Sequence, residues 1–349
     1  MKKVVILGSG AMGTAFSIPA FDAGNNVSIV GTQYDDAVIE KLLIDRIHPA
    51  LGIEIKDGIE FYKSNHMNQL LSNDVDVIVV GVNSRGIDWV VEKLNGVIGD
   101  DTIILMLTKG LRIENDSIVL FSHYMTDAVH TINGNKSKVA AIAGPCLAGG
   151  LALRKDHNIV VAHENEKVCE SLEYIFSTKY YHLEKNTDVI GVEACSALKN
   201  VFALGVASVN GKASDSSSEI SEEMKKNQTA VVFSQALKEM SIIVQWLGGN
   251  KETVYGLSGL GDLYTTSLGG RNGKLGLLLG SGVSYKDAIE NELKGITVEG
   301  ADATLLLGPI IKNAIVSNNL ERSKLPLFES IINTICNDAP LELTWKDYV

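Results

Sequence analysis

Between Cys195 and Val206 the chain reads CSALKNVFALGV, with Lys199 in the middle. The longer run from Val189, VIGVEACSALKNVFALGVASV, carries only two charges, Glu193 and Lys199. An ammonium group is costly to bury unless something there uses it. Buried or set beside another cation, a lysine can exchange a proton with a substrate oxygen near neutral pH. Histidine does not compete for that work in the second half of the chain, because all seven histidines lie at or before His182. A lysine snorkelling from a helix end is the plainer reading, but apolar neighbours flank Lys199 for more than a turn on each side. Glu193, six positions away, falls on a different helix face.

Two other stretches could serve such a lysine. LMLTKGL places Lys109 just past an apolar strand, where ligands of open α/β sheets bind; taken by itself, it reads equally as a surface loop lysine. GLSGLGDLYTTSLGGRNGKLG, residues 256–276, sets seven glycines around Asp262, Thr265, Thr266, Arg271 and Asn272. Flexible linkers are seldom threaded with Leu, Tyr and Arg. The stretch reads instead as backbone brought close to a ligand. Arg271 and Asn272 offer a planar fork and an amide to an oxyanion such as phosphate. At the other end of the chain, VVILGSGAMGTAF carries G-x-G-x-x-G as Gly8, Gly10 and Gly13, after a strand and opening a helix. In that context the pattern is a dinucleotide-binding turn, with free helix N–H groups facing a pyrophosphate.

These residues need elements to hold them. The first half alternates apolar runs (KKVVILG, NVSIV, DVDVIVVGV, DTIILML, KVAAIAG, NIVVAH, YYHLEK) with helical ones. Continuous apolar strands between helices predict a parallel sheet covered on both faces. We therefore expect an α/β fold: a Rossmann-type, doubly wound, mostly parallel sheet over residues 1–186, then an all-helical domain over 187–349. Helices are expected at 188–209, about 224–247, 273–280, 285–291, 299–316 and 326–337. The serine-rich stretch 211–223 reads as a solvated loop before a helix cap.

Composition narrows the function. With 349 residues, two domains are the natural expectation. A net charge of -11 argues against a general binder of nucleic acid or of anionic membranes. Glu193, Lys199 and Asn200 near the middle of the long apolar run argue for a buried helix and against membrane insertion. The N-terminal apolar stretch is too short and glycine-broken for a signal peptide. Four scattered cysteines without a C-x-x-C pair suit reduced thiols in a cytoplasm, and no metal site is expected.

Taken in order, GSGAMGTA at the start, TKG at 108–110, AGPCLA at 143–148, ALKNVFALG at 197–205, GLGDLYTT at 259–266, GGRNGKLG at 269–276 and TVEG at 297–300 span nearly the whole chain. In this the sequence resembles the NAD(P)-dependent glycerol-3-phosphate dehydrogenase family. The resemblance implies reversible reduction of dihydroxyacetone phosphate to sn-glycerol 3-phosphate in a cleft between two domains. It further implies a cytoplasmic homodimer that supplies glycerophospholipid synthesis. By the same resemblance Lys199 transfers the proton, while Lys109 and Asp262 hold and polarise the substrate. Gly144, Cys146, Asn200, Thr266, Arg271 and Asn272 fall on substrate or phosphate positions. Gly8, Ser9, Gly10, Ala11, Met12, Gly13, Thr32, Asn83, Lys109, Ala148, Arg271 and Glu299 fall on cofactor positions.

The chain departs from the family pattern in places. Cys146 and Gly270 stand where serines are usual, and Thr32 and Gln33 replace the arginines often found after the second strand. No arginine lies between Gly13 and Lys41. Thr32 or Gln33 can meet a free 2′-hydroxyl, and Asp35 and Asp36 would repel a 2′-phosphate. The expected cofactor is NAD(H), with NADP(H) as the alternative. The competing readings are another lysine-dependent dehydrogenase of a small phosphorylated or hydroxy-acid substrate, and a non-catalytic dinucleotide sensor.

Overall fold

A computed structural model gives the fold. It describes residues 1–72, 74–211 and 219–348, with only the backbone of 219–222 and 224. The serine-rich stretch therefore falls outside the described residues over 212–218. The chain forms two compact units, Met1–Gly110 with Leu120–Val192, and Leu111–Val119 with Glu193–Val349.

The first unit is built on strands β1 (Lys3–Leu7), β2 (Asn26–Val30), β3 (Ile59–Tyr62), β4 (Val77–Val80), β5 (Ile103–Met106), β8 (Lys138–Ala143), β9 (His157–Ala162) and β10 (Tyr181–Asn186). Their order is β10-β9-β8-β5-β4-β1-β2-β3. All neighbours pair in parallel except β8 and β9. The sheet is doubly wound, and the strand order reverses between β1 and β4. Alternate residues feed two separate cores. Val4, Ile6, Val77, Val79 and Leu105 pack on one face with Phe16, Phe176 and Tyr181. Val5, Leu7, Ile78, Val80 and Ile104 pack on the other with Val90, Phe121 and Met125. Both faces are covered by helices, which is why these strands read as unbroken apolar runs.

In the second unit the chain is helical: Val189–Gly211 (from Glu193 onward), Glu219–Trp246, Gly270–Gly280, Glu299–Val316 and Pro326–Asn337 are its longest helices. To these it adds a hairpin that the sequence reading did not foresee, β6 (Leu111–Glu114) with β7 (Ser117–Leu120), and β6 packs on Glu299–Val316. By length and composition Val189–Gly211 could cross a membrane, yet 94% of its most apolar window is buried inside the protein. A helix apolar on every side is one enclosed on every side.

One buried carboxylate joins two of these helices. Glu239, 0% exposed, accepts hydrogen bonds from the backbone N–H groups of Leu327 (2.8 Å) and Phe328 (2.6 Å) and from the Gln235 amide (2.8 Å). Those N–H groups open the Pro326–Asn337 helix and have no acceptor within it. Burial raises the Glu239 carboxyl from 4.5 to about 7, against the pull of the three donors. Glu239→Ala strands those donors at roughly 1–3 kcal/mol each, so its melting temperature should fall by many degrees. The raised pKa also fixes a sign. The folded form binds the Glu239 proton more tightly than the unfolded form, so this group's contribution is largest below about pH 4.5 and declines as pH rises toward 7. Denaturation of wild type and Glu239→Gln across that range should show this slope only in wild type.

Candidate functional site

The first unit gathers its chemistry at the C-terminal ends of the parallel strands. After β1 comes the glycine turn. Gly8 has φ +101°, a left-handed conformation, and a Cβ there would sit 3.1 Å from the Gly81 backbone. A Cβ at Gly13 would lie 2.5 Å from the Gly8 carbonyl oxygen, so helix Ala11–Asp22 meets its strand only through glycine. Gly10 differs from both, since a Cβ there would meet no protein atom within 4 Å. Packing therefore does not require glycine at this position, and the space over it is open to a ligand. The first intrahelical bond runs from the Thr14 N–H to the Gly10 carbonyl at 2.9 Å, so the amides of Ala11, Met12 and Gly13 precede any helical acceptor. Open space bordered by such amides fits a dinucleotide pyrophosphate.

The remaining first-unit residues follow neighbouring strands. After β2, the Thr32 N–H donates to Asp35 Oδ2 at 2.8 Å, and the same oxygen accepts from the Ser9 N–H at 3.3 Å. Asp35 thus ties the β2 loop to the glycine turn. After β4, the Asn83 side chain caps its own turn by accepting from the Arg85 N–H at 3.1 Å. After β5, Lys109 Nζ donates to the Gly144 carbonyl, beyond β8, at 3.4 Å. Cys146 and Ala148 are half-buried against the same core as Met12.

The second unit holds the buried lysine. Lys199 is 7% exposed and Asp262 3%. Lys199 Nζ lies 3.0 Å from Asp262 Oδ1 and donates to Thr266 Oγ1 at 2.7 Å. Asp262 and Thr266 occupy one short helix, Asp262–Ser267, entered through a π-helical turn at Leu257–Gly261. The spacing of four puts both on one face toward the ammonium. Sequence reading singled out all three residues but not the ion pair among them.

Beside the pair, three polar groups link three helices. Asn272 Nδ2 donates to Asn200 Oδ1 at 2.9 Å, the Gly300 N–H donates to Asn272 Oδ1 at 2.9 Å, and Asn200 Nδ2 donates to the Ser196 carbonyl at 3.3 Å. Each of the three residues adjoins another residue of interest, with Lys199 before Asn200, Arg271 before Asn272 and Glu299 before Gly300. Arg271 and Glu299 are half-exposed and ion-paired to each other.

Two glycines of the stretch 256–276 bring protein against protein, a use that the residue types alone did not indicate. A Cβ at Gly259 would fall 2.1 Å from the Val254 carbonyl oxygen, and one at Gly276 2.6 Å from that of Leu204. A Cβ at Gly269 or at Gly270 would instead meet no protein atom within 4 Å. Gly276 is needed because helix Gly270–Gly280 lies directly on the backbone of Val189–Gly211, and Gly259 because its π-helical turn closes onto Val254.

A doubly wound sheet with open space over Gly10 in its glycine turn, and in the second unit a buried lysine held by a carboxylate, are features that a pyridine-nucleotide-linked oxidoreductase requires. Comparison with known proteins specifies it further. Residues 3–169 match the family described as NAD-dependent glycerol-3-phosphate dehydrogenase N-terminus, and residues 188–346 its C-terminus. The chain belongs to the NAD-dependent glycerol-3-phosphate dehydrogenase family. It is 36% identical over 299 residues to the NADP(+)-dependent glycerol-3-phosphate dehydrogenase of Archaeoglobus fulgidus, covering 85% of this chain and 86% of that protein. It is 30% identical over 310 residues to a glycerol-3-phosphate dehydrogenase [NAD(P)+] of Clostridium botulinum, covering 87% of this chain and 86% of that one. The glycerol-3-phosphate dehydrogenase structure from Saccharomyces cerevisiae shares the fold, with a TM-score of 0.80 at 22% identity and 99% of each chain covered.

Gly300 is the tightest approach in the second unit's polar relay. A Cβ there would lie 2.3 Å from the Asn200 carbonyl oxygen and 3.0 Å from Asn272 Oδ1. Gly300→Ala should push Glu299–Val316 away from Val189–Gly211 and lower stability by about 1–3 kcal/mol. Thermal melting checks this; an unchanged transition would contradict so close a contact.

Proposed function

We propose that this chain carries out the family reaction, dihydroxyacetone phosphate to sn-glycerol 3-phosphate and back, with Lys199 as the proton-transfer residue. The observation that carries the assignment is an ammonium buried on an apolar helix and held by Asp262 and Thr266. When bound, the nicotinamide supplies the hydride that adds to the substrate's carbonyl carbon. Lys199 donates a proton from Nζ to the carbonyl oxygen, and in reverse takes the hydroxyl proton. Asp262 keeps the ammonium paired and aimed, and Thr266 accepts one of its hydrogens. Low polarity around the lysine strengthens its hold on a developing alkoxide. Arg271 and Asn272 are assigned to the substrate phosphate, and Lys109 to polarising the substrate and contacting the cofactor. The same reading makes the protein a cytoplasmic homodimer that supplies glycerophospholipid synthesis.

For the cofactor we propose a preference for NAD(H). The Archaeoglobus relative is named for NADP, but the residues after β2 in this chain favour the other choice. Asp35 is held beside the glycine turn by two backbone N–H groups, where its charge opposes a 2′-phosphate. At saturating dihydroxyacetone phosphate, kcat/KM should be higher with NADH than with NADPH. Equal or reversed efficiencies would overturn the preference and leave the reaction untouched.

Lys199→Met should lower kcat by roughly 10²–10⁴-fold, the usual worth of a general acid, with NADH binding retained. The variant also leaves Asp262 buried without its cation, a loss of about 3–5 kcal/mol. Lys199→Met with Asp262→Asn should recover much of that stability and none of the turnover. More than half of wild-type kcat in either variant would remove Lys199 from this role.

A further inference from the structure

His48 lies 39 residues from the glycine turn in sequence, yet its Nε2 is 3.0 Å from the Ser9 carbonyl oxygen. It is 2% exposed. It sits in a small closed loop between helix Asp36–Asp45 and β3, where the His48 N–H donates to the Ile53 carbonyl at 3.1 Å and the Gly52 N–H donates to the His48 carbonyl at 2.8 Å. The ring's Nδ1 accepts from the backbone N–H groups of Ala50 and Leu51, both at 3.2 Å. Backbone N–H groups can only donate, so Nδ1 is the bare nitrogen and Nε2 carries the hydrogen. The contact to Ser9 is therefore a hydrogen bond donated by Nε2.

Ser9 is held from three sides. Its carbonyl accepts from His48 and from Thr14 Oγ1 (3.2 Å), and its N–H donates to Asp35 Oδ2 (3.3 Å). The carbonyl belongs to the peptide joining Ser9 to Gly10. In a trans peptide the C=O and the following N–H point in opposite directions. Pinning the Ser9 oxygen against His48 and Thr14 therefore turns the Gly10 N–H away from those two side chains, at a residue whose added Cβ would meet no protein atom within 4 Å. A turn without such anchors would pay an entropic penalty to order itself on the ligand.

We propose that His48 is a positioning residue for the dinucleotide: its Nε2–H locks the Ser9–Gly10 peptide so that the Gly10 amide faces the pyrophosphate. This rests on the reading of the glycine turn as the cofactor site. His48 touches no cofactor atom itself and acts through the peptide plane.

The test uses two amides that mimic different ring nitrogens. Gln places its amide nitrogen near the position of Nε2 and can still donate to Ser9. Asn reaches only as far as Nδ1, so it can accept from Ala50 and Leu51 but cannot reach Ser9. NADH binding to the full chain, followed by fluorescence titration, should weaken about three- to tenfold in His48→Asn, the usual weight of one net hydrogen bond. His48→Gln should stay within about twofold of wild type on the same scale. KM for NADH should rise with Kd in the Asn variant, while kcat and KM for dihydroxyacetone phosphate stay near wild type. Thr14→Val, which removes the other donor to the Ser9 carbonyl without touching the loop, should also weaken NADH binding. Equal loss in the Gln and Asn variants would make His48 a packing residue and overturn the proposal, as would wild-type affinity in His48→Asn. Failure of the wild-type chain to bind either NADH or NADPH would instead overturn the cofactor reading beneath it.

Discussion

Burying Lys199 to 7% exposure takes its ammonium largely out of water, and the Asp262 carboxylate 3.0 Å away makes that placement tolerable. A buried cation without an anion would give up its proton or unfold its surroundings. Much of the second unit's local geometry follows from keeping this pair together. Asp262 must come at the start of a helix that faces Lys199, and the π-helical turn at Leu257–Gly261 delivers it there. That turn closes only because Gly259 has no side chain to strike the Val254 carbonyl. Helix Gly270–Gly280 then lies close enough for Asn272 to bond Asn200, which it does because Gly276 meets the Leu204 backbone without a Cβ. The glycines do not loosen this region. They are what allow a charged pair to be packed as tightly as an apolar one.

The elements that were legible in the sequence share one property: their surroundings are uniform along their length. Strands β1, β4, β5 and β8 lie between two helical layers, so each residue sees an apolar neighbour and the run reads continuously. Helix Val189–Gly211 is legible for the same reason. What escaped notice lies where surroundings change from residue to residue. Strand β3 is at a sheet edge, its burial alternates, and four residues of IEFY carry too little pattern to recognise. The β6–β7 hairpin is short and half-exposed, and it belongs to a unit whose other residues come much later in the chain.

The site was legible as residue types and not as partnerships. Lys199 stood out because it violates its context, and Asp262, Thr266, Arg271 and Asn272 because they are polar residues in a glycine-rich stretch. Nothing in one sequence says that Lys199 meets a carboxylate 63 positions away, or that Asn272 spends its amide on Asn200. His48 carried no signal at all, because one histidine in RIHPALG resembles any other loop histidine. Partnerships of this kind are set by which backbones can approach one another.

Rigidity is achieved differently in the two units. In the second, the side chains proposed for the chemistry are fixed directly: Lys199 by Asp262 and Thr266, Arg271 by Glu299. In the first, the groups suited to hold a phosphate are backbone amides, which have no rotamers to lock. They can be fixed only by fixing peptide planes, and a plane is held by its carbonyl as firmly as by its N–H. Anchors for such a turn must therefore be side chains arriving from elsewhere with donors and acceptors of the right kind. Asp35, Thr14 and His48 are those side chains here, one accepting from Ser9 and two donating to it. The glycine pattern marks where a dinucleotide can approach, while the side chains that hold the turn in shape are Thr14, directly after the pattern, and Asp35 and His48, farther along the chain.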